Sequence, residues 1–196
     1  MEKKSLYRLG REYGTDQSGQ HKYTTVFPNY MGYYEKLPVR FLEIGIKKGA
    51  SLRMWNDYFE HEDAHLVAVD NDLTTFEHVP MTPRWHMALG SQYDKEFLAT
   101  VGEEHGPFDI IVDDGCHHPE AQITAFKGLW PFISRGGIYV IEDLYESFTK
   151  GNQSLVTYLD NMTKSLVVSG KRHGKTSYDF IHYYKNMVVI GKKTRA

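Results

Sequence analysis

The sequence predicts an α/β sandwich of the Rossmann-like kind, with a mostly parallel sheet, helices on both faces and a C-terminal antiparallel hairpin. Three observations carry this. Apolar runs of strand length alternate with helix-length stretches from residue 39 to 144, which implies right-handed crossovers and parallel pairing. Four of these runs close on acidic residues, at Glu43, Asp70, Asp113-Asp114 and Glu142-Asp143. After Glu146 the alternation stops, and Tyr178 to Tyr184 and Met187 to Ile190 face each other across Lys185-Asn186, a hairpin pattern.

Residues 1–38 mix charge with tyrosine and phenylalanine. After the turn-like Gly14-Thr15-Asp16-Gln17-Ser18-Gly19 they read as a loop and then a helix ending before Pro38, so this stretch is expected to form a helical cap. The core spans 39–144. Val39 to Ile46 (VRFLEIGI) is a strand, Ala50 to Phe59 a helix, His65 to Asp70 a strand, Arg84 to Leu89 a weak strand and Tyr93 to Val101 a helix. Phe108 to Asp113 is then a strand and Pro119 to Phe132 a helix. Gly137 to Ile141 is a strand after the turn Ser134-Arg135-Gly136,. A lid segment follows over 145–176, with Leu155 to Leu166 helical, and the hairpin occupies 177–192. No repeat or linker separates these parts, so one domain over 1–196 is expected.

Composition narrows the function classes. The chain has 196 residues, 23 Lys+Arg against 25 Asp+Glu, and a formal net charge of -2, which gives no basic field for a nucleic-acid backbone. Its single cysteine, Cys116, cannot close an intramolecular disulfide, and Met1 to Gly14 lacks the apolar segment of a signal peptide, so a cytoplasmic location is expected. No run approaches the roughly 18 apolar residues of a membrane span. The expected partner is a small molecule, with no nucleic acid and no membrane. The aromatic-rich cap leaves a homo-oligomer open.

In open α/β sheets ligands bind beyond the carboxyl ends of the strands. At the first such end Glu43, Gly45 and Gly49 stand in an E-x-G-x-x-x-G spacing. This is not the G-x-G-x-x-G that cradles a pyrophosphate, and a carboxylate aimed at the ligand suits a cationic amino acid joined to an adenosine. Asp70 closes the next strand, where an acidic residue can accept both ribose hydroxyls, although taken alone Asp70 is as suited to an N-cap, a role for which Asp72 competes. Together these residues make S-adenosylmethionine the leading ligand. At the third and fourth ends Asp113, Asp114, His117, His118, Glu142 and Asp143 gather carboxylates and imidazoles. Carboxylates converging from adjacent strand ends would raise their own pKa values unless a cation neutralised them. An oxygen-rich set suits Mg²⁺. Trp55, Trp85 and Trp130 are read as core or cap packing.

FLEIGIKKGASLRMWNDYF, GSQYDKEFL, FDIIVDDGCHHPEAQITAF and GGIYVIEDLYESF resemble the metal-dependent sugar O-methyltransferases of macrolide biosynthesis, of the mycinamicin and macrocin type. That sequence group also includes proteins similar to cephalosporin hydroxylase. The resemblance runs from about Gly14 to Lys192. It implies a class I methyltransferase sandwich in which Asp114, Glu142 and Asp143 hold Mg²⁺ and His117 is the general base; should His117 not serve, Asp114 is the next candidate. It places Glu43, Gly45, Asp70, Ser91 and Gln92 on cofactor positions, with Gly49, Ser51 and Asp113 completing the set. It also likens His21 and Tyr23 to a loop over the cofactor. Cys116 stands where the family commonly carries serine, Ser91 where it carries aspartate, and Tyr145 where it often carries histidine. The implied activity is methyl transfer to a hydroxyl of a sugar or glycosylated small molecule. Two rivals remain at this stage. One is an Fe(II)-dependent hydroxylase whose triad would be Asp114, His117 and His118. The other is a catalytically silent partner subunit. Lys164, Lys171, Arg172 and Lys175 are either a solvated charged face or a contact for a phosphorylated sugar.

Overall fold

The structure, a computed structural model, describes residues 4–149, 152–169 and 176–194. The chain forms two compact units that meet in sequence at Gly90 and Ser91.

The first unit opens with helix α1 (Leu6–Tyr13), whose N-cap Ser5 accepts a hydrogen bond from the Arg8 N–H and whose C-cap Gly14 turns left-handed,. The single helix expected before Pro38 is divided. Helix α2 (Pro28–Met31) runs into a 3-10 segment, Gly32–Lys36, at Gly32, a weak helix former. Strands β1 (Arg40–Ile44), β2 (His65–Asp70) and β3 (Trp85–Leu89) pair in parallel in the order β3-β2-β1, with Leu42 opposite Val67 and Val67 opposite His86. Leu66 to Val69 of β2 are fully buried, the continuous apolar run of a strand covered on both faces. Helix α3 (Ala50–Tyr58) crosses from β1 to β2 and buries Trp55 against Phe27, Phe41, Tyr58 and Phe59, at ring separations of 5.2–6.2 Å. Aromatics of this size each stabilise a core by roughly 1.5–3 kcal/mol through burial. Between β2 and β3 lies a 3-10 segment, Leu73–His78, capped by Asp72.

The second unit begins with helix α4 (Lys95–His105), which starts two residues later than the expected 93–101 because Asp94 caps it, accepting from the Glu96 and Phe97 N–H groups, and runs four residues further. Gly102 does not end it, since the ring of Phe132 covers the space its Cβ would fill. Next come strand β4 (Phe108–Asp113), helix α5 (Pro119–Leu129) with a 3-10 turn to Phe132, and strand β5 (Ile133–Glu142). The turn expected at Ser134-Arg135-Gly136 lies inside β5. Pairing to β4 jumps from Phe108↔Ile133 to Ile110↔Ile138, so the segment loops out as a bulge, with Gly136 at φ +78°,. Helices α6 (Tyr145–Thr149) and α7 (Ser154–Ser169) follow, then strands β6 (Tyr178–Tyr184) and β7 (Met187–Lys192). The strands lie in the order β4-β5-β7-β6, parallel for the first pair and antiparallel for the other two. Among the described residues no helix is long and apolar enough to cross a membrane. Lys164 pairs with Asp160 on its own helix at 2.5 Å, while Lys171, Arg172 and Lys175 lie outside the described residues.

Candidate active site

In the first unit, β1 leads into α3 through a turn that only special backbone geometry permits. Gly45 sits at φ +97° and Gly49 at φ +65°. A Cβ on Gly49 would lie 2.4 Å from the His78 carbonyl oxygen, so the position is closed to any side chain. Glu43, at the strand end, is fully buried. Its oxygens accept from Ser51 Oγ at 3.0 Å and Trp55 Nε1 at 3.1 Å, and burial pushes its pKa up to about 7 despite these bonds and one from Gln17,. The carboxylate expected to aim at a ligand is thus held inside its own unit. Asp70 Oδ2 accepts from the Ile46 N–H and Oδ1 from the Asp72 N–H, both at 2.9 Å. Asp70 therefore ties the glycine turn to the end of β2, and Asp72 takes the cap role through Thr74. His21 stacks on buried Tyr23 with ring centroids 5.0 Å apart.

In the second unit, β4 and β5 bring the remaining candidates together. Asp113 is fully buried, with its pKa pushed up to about 7 by burial. Gln92 Nε2 donates to its Oδ1 at 2.9 Å, and the Tyr139 hydroxyl donates to Oδ2 at 3.3 Å. The other end of the Gln92 amide accepts from the Cys116 N–H at 2.8 Å. Gln92 and Asp113, expected on the cofactor, thereby brace the loop that follows β4. Ser91 Oγ accepts from the Tyr93 N–H and helps start α4. Asp114 and His117 stand on the braced loop and Asp143 just past β5, and one ligand atom from each lies within 4.8 Å of the others. His117 Nε2 is 3.4 Å from Asp143 Oδ2 and 4.0 Å from Asp114 Oδ1. His117 and Asp143 both adopt positive φ, 58° and 53°, a strain of about 1–3 kcal/mol each that clusters at functional sites. Glu142 ends β5 as a buried side chain and is not in this group. Its carbonyl accepts from Gln122 Nε2 at 2.8 Å. His118 is turned away and meets Glu120 Oε2 at 2.9 Å.

The two carboxylates of this group offer oxygen donors that fit a hard divalent ion with positions left for other oxygens, and the imidazole nitrogen stands beside them,. The arrangement can also bring a nitrogen base beside a hydroxyl held at the ion.

A family model described as a methyltransferase domain matches residues 42–144. The chain belongs to this methyltransferase-domain family. It is 39% identical to 8-demethyl-8-(2-methoxy-alpha-L-rhamnosyl)-tetracenomycin-C 3'-O-methyltransferase of Streptomyces olivaceus, over 74% of this chain and 38% of that protein. It is 33% identical to demethylmacrocin O-methyltransferase of Streptomyces fradiae, over 97% of this chain and 53% of that protein. Among solved structures, the MycE methyltransferase of the mycinamycin biosynthetic pathway, in complex with Mg, SAH and mycinamycin VI, matches with a TM-score of 0.84 and 28% identity. That match covers 97% of this chain and 55% of the other. The chain thus spans about half the length of these relatives or less, and its fold is that of a class I methyltransferase, mostly parallel with antiparallel C-terminal strands.

Sequence reasoning missed Trp55 as a partner of Glu43, although its position four residues after Ser51 puts both on one face of α3. It also missed Tyr139 and Gln122, each on a face that periodicity assigns to the core. Asn186 carried no signal beyond a turn.

Proposed function

We propose that this chain is an S-adenosylmethionine-dependent, Mg²⁺-assisted O-methyltransferase acting on a hydroxyl of a sugar in a glycosylated small molecule. The observation that carries the reading is the Asp114, His117 and Asp143 group at two strand ends of a methyltransferase fold. The Mg, SAH and glycosylated macrolide in the similar MycE structure support it, as do the sugar O-methyltransferases among the relatives.

Asp114 and Asp143 would hold the ion, with Glu142 at the next position inward. When bound, Mg²⁺ supplies positive charge that lowers the pKa of an acceptor hydroxyl, and S-adenosylmethionine supplies the methyl group. His117 Nε2 takes the hydroxyl proton, and the imidazolium so formed is stabilised by the Asp143 carboxylate 3.4 Å away,. The glycine turn at Gly45 and Gly49 lets backbone approach the cofactor, and Asp70 offers its carboxylate to the ribose. Much of the rate then comes from alignment of the acceptor with the methyl group. Helix α6 follows Asp143 directly and exposes Tyr145 and Phe148, an apolar surface suited to the acceptor's aglycone. The cell compartment proposed is the cytoplasm, where the exposed Cys116 stays a thiol,.

The test is methyl transfer from labelled S-adenosylmethionine to a panel of glycosylated metabolites, with Mg²⁺ and with excess chelator, beside thermal denaturation with S-adenosylhomocysteine and with NAD. Transfer that needs Mg²⁺, and a rise in Tm with S-adenosylhomocysteine that Asp70→Ala abolishes, are expected. Full activity in chelator would overturn the metal role, and equal stabilisation by NAD would overturn the cofactor.

A further inference from the structure

The β6–β7 turn is 43 residues from Asp143 in sequence, yet its Asn186 reaches that residue directly. Asn186 Nδ2 donates to Asp143 Oδ1 at 2.7 Å. Asn186 Oδ1 accepts from the Tyr145 N–H at 2.6 Å, and its backbone carbonyl accepts from the Leu144 N–H at 3.2 Å. One turn residue therefore fastens three consecutive residues of the β5–α6 loop.

This bears on the site because Asp143 sits at φ +53°, where an L-residue stays only if its surroundings over-determine it. The three bonds from Asn186 do so from one side. On the other, Gln122 Nε2 holds the Glu142 carbonyl at 2.8 Å. Asparagine suits the task on two counts. It tolerates the left-handed φ of +63° that the turn imposes,, and its amide carries a donor for the carboxylate and an acceptor for the backbone N–H at once. The geometry also sorts the two oxygens of Asp143. Oδ1 is taken by the amide, so Oδ2 is the one that faces His117 Nε2.

We propose that Asn186 is a positioning residue that fixes the Asp143 carboxylate and sets which of its oxygens joins Asp114 and His117. The inference rests on the metal reading above and deepens it. Outer-shell partners of metal-binding groups typically change affinity by about 10- to 100-fold when removed.

The decisive variant is Asn186→Gly, because glycine accepts the turn's positive φ while deleting the amide. Mg²⁺ binding to the full chain is measured by titration calorimetry in the presence of S-adenosylhomocysteine. Tm in excess chelator and S-adenosylhomocysteine affinity without metal are measured in parallel, with Asp143→Ala as reference. The Mg²⁺ Kd of Asn186→Gly should rise about 10- to 100-fold, with S-adenosylhomocysteine affinity within about twofold of wild type and Tm in chelator within a few degrees. Should Asn186→Gly not fold, Asn186→Ser, too short to span to Asp143, carries the same comparison. If wild type binds no Mg²⁺, or Asp143→Ala binds it equally well, the metal reading falls. If those two behave as expected but the Asn186 variant binds Mg²⁺ within about twofold of wild type, the positioning role falls. It falls too if Mg²⁺ affinity, cofactor affinity and Tm all drop together.

Discussion

The acidic residues at the strand ends of the two units do different work, and the difference follows from where each stands on its strand. In the first unit both are engaged by the chain itself, Glu43 by Ser51 and Trp55 and Asp70 by the Ile46 and Asp72 N–H groups. In the second unit Asp113 behaves like Glu43, buried and hydrogen-bonded, whereas Asp114 and Asp143, each one residue past a strand, are partly exposed beside His117. In the second unit the last carboxylate of β4, Asp113, therefore braces the turn, and Asp114 just beyond it stays partly exposed. Two carboxylates so close repel, and among the described residues it is the second unit that gathers them in a way that a cation would relieve,.

The strongest way to break this comparison is at His117, the one titratable nitrogen in the second unit's group. His117→Ala should lower kcat by roughly 10²- to 10⁴-fold while leaving S-adenosylhomocysteine affinity nearly unchanged. Single-turnover methyl transfer at saturating Mg²⁺ reads this. A variant at wild-type rate would remove the base from His117 and make Asp114 the next candidate.

Asp143→Ala and Asp114→Ala come next. Each should weaken Mg²⁺ binding by about 10²-fold or more. Asp114→Ala should not lower Tm in excess chelator, because losing one of two crowded carboxylates relieves repulsion, whereas Asp143→Ala should lower it by a few degrees, since it gives up the Asn186 bond and puts alanine at a positive φ,. A large drop in the chelated Tm of either variant would mean that these groups are structural, like Glu43 and Asp113.

The sequence made the alternation, the parallel core and the hairpin legible because period and strand length are local properties. The acidic strand ends were legible too, since in open α/β sheets ligands bind beyond the carboxyl ends of the strands. What it could not show was which oxygen each carboxylate turns outward. Nothing local says that Trp55 bonds to Glu43, or that Gln92 and Tyr139 bond to Asp113. The bulge at Ser134-Arg135-Gly136 looked like a turn because a glycine at positive φ serves either use. Asn186 was hidden for a different reason, since its partner lies 43 residues away.

The buried carboxylates themselves sharpen the comparison through pH. Glu43 has its folded pKa raised to about 7 from 4.5 by desolvation. Its contribution to stability is therefore fully present below the unfolded value and is lost as pH rises from about 4.5 to about 7. The size is about 3 kcal/mol, as an order of magnitude. In denaturant unfolding across that window, wild type minus Glu43→Gln should decline with pH and then level off. Asp113→Asn should give the same sign, since burial raises Asp113 likewise. Curves for wild type and Glu43→Gln that stay parallel would mean Glu43 is solvated, and its likeness to Asp113 would end.

The smallest effect is expected at His118, and it separates a magnesium site from one built on two histidines. Its Nδ1 lies 2.9 Å from Glu120 Oε2, its side chain is 52% exposed, and it stands at the N-cap of α5 without a side-chain capping bond. Its removal leaves Glu120 hydrogen-bonded to Asn152 Nδ2 at 2.7 Å, so no buried charge is orphaned and stability should shift by about 0.5 kcal/mol or less. His118→Ala should keep kcat within about threefold of wild type and leave Mg²⁺ affinity unchanged, as expected for a side chain that touches neither carboxylate of the group. The measurement pairs calorimetric Mg²⁺ titration with single-turnover rates, and repeats both with Fe²⁺ and 2-oxoglutarate under oxygen. A loss of more than about tenfold in metal affinity, together with oxygen-dependent turnover in wild type, would show His118 swinging into the site. The second unit would then hold the two-histidine, one-carboxylate triad of an iron oxygenase.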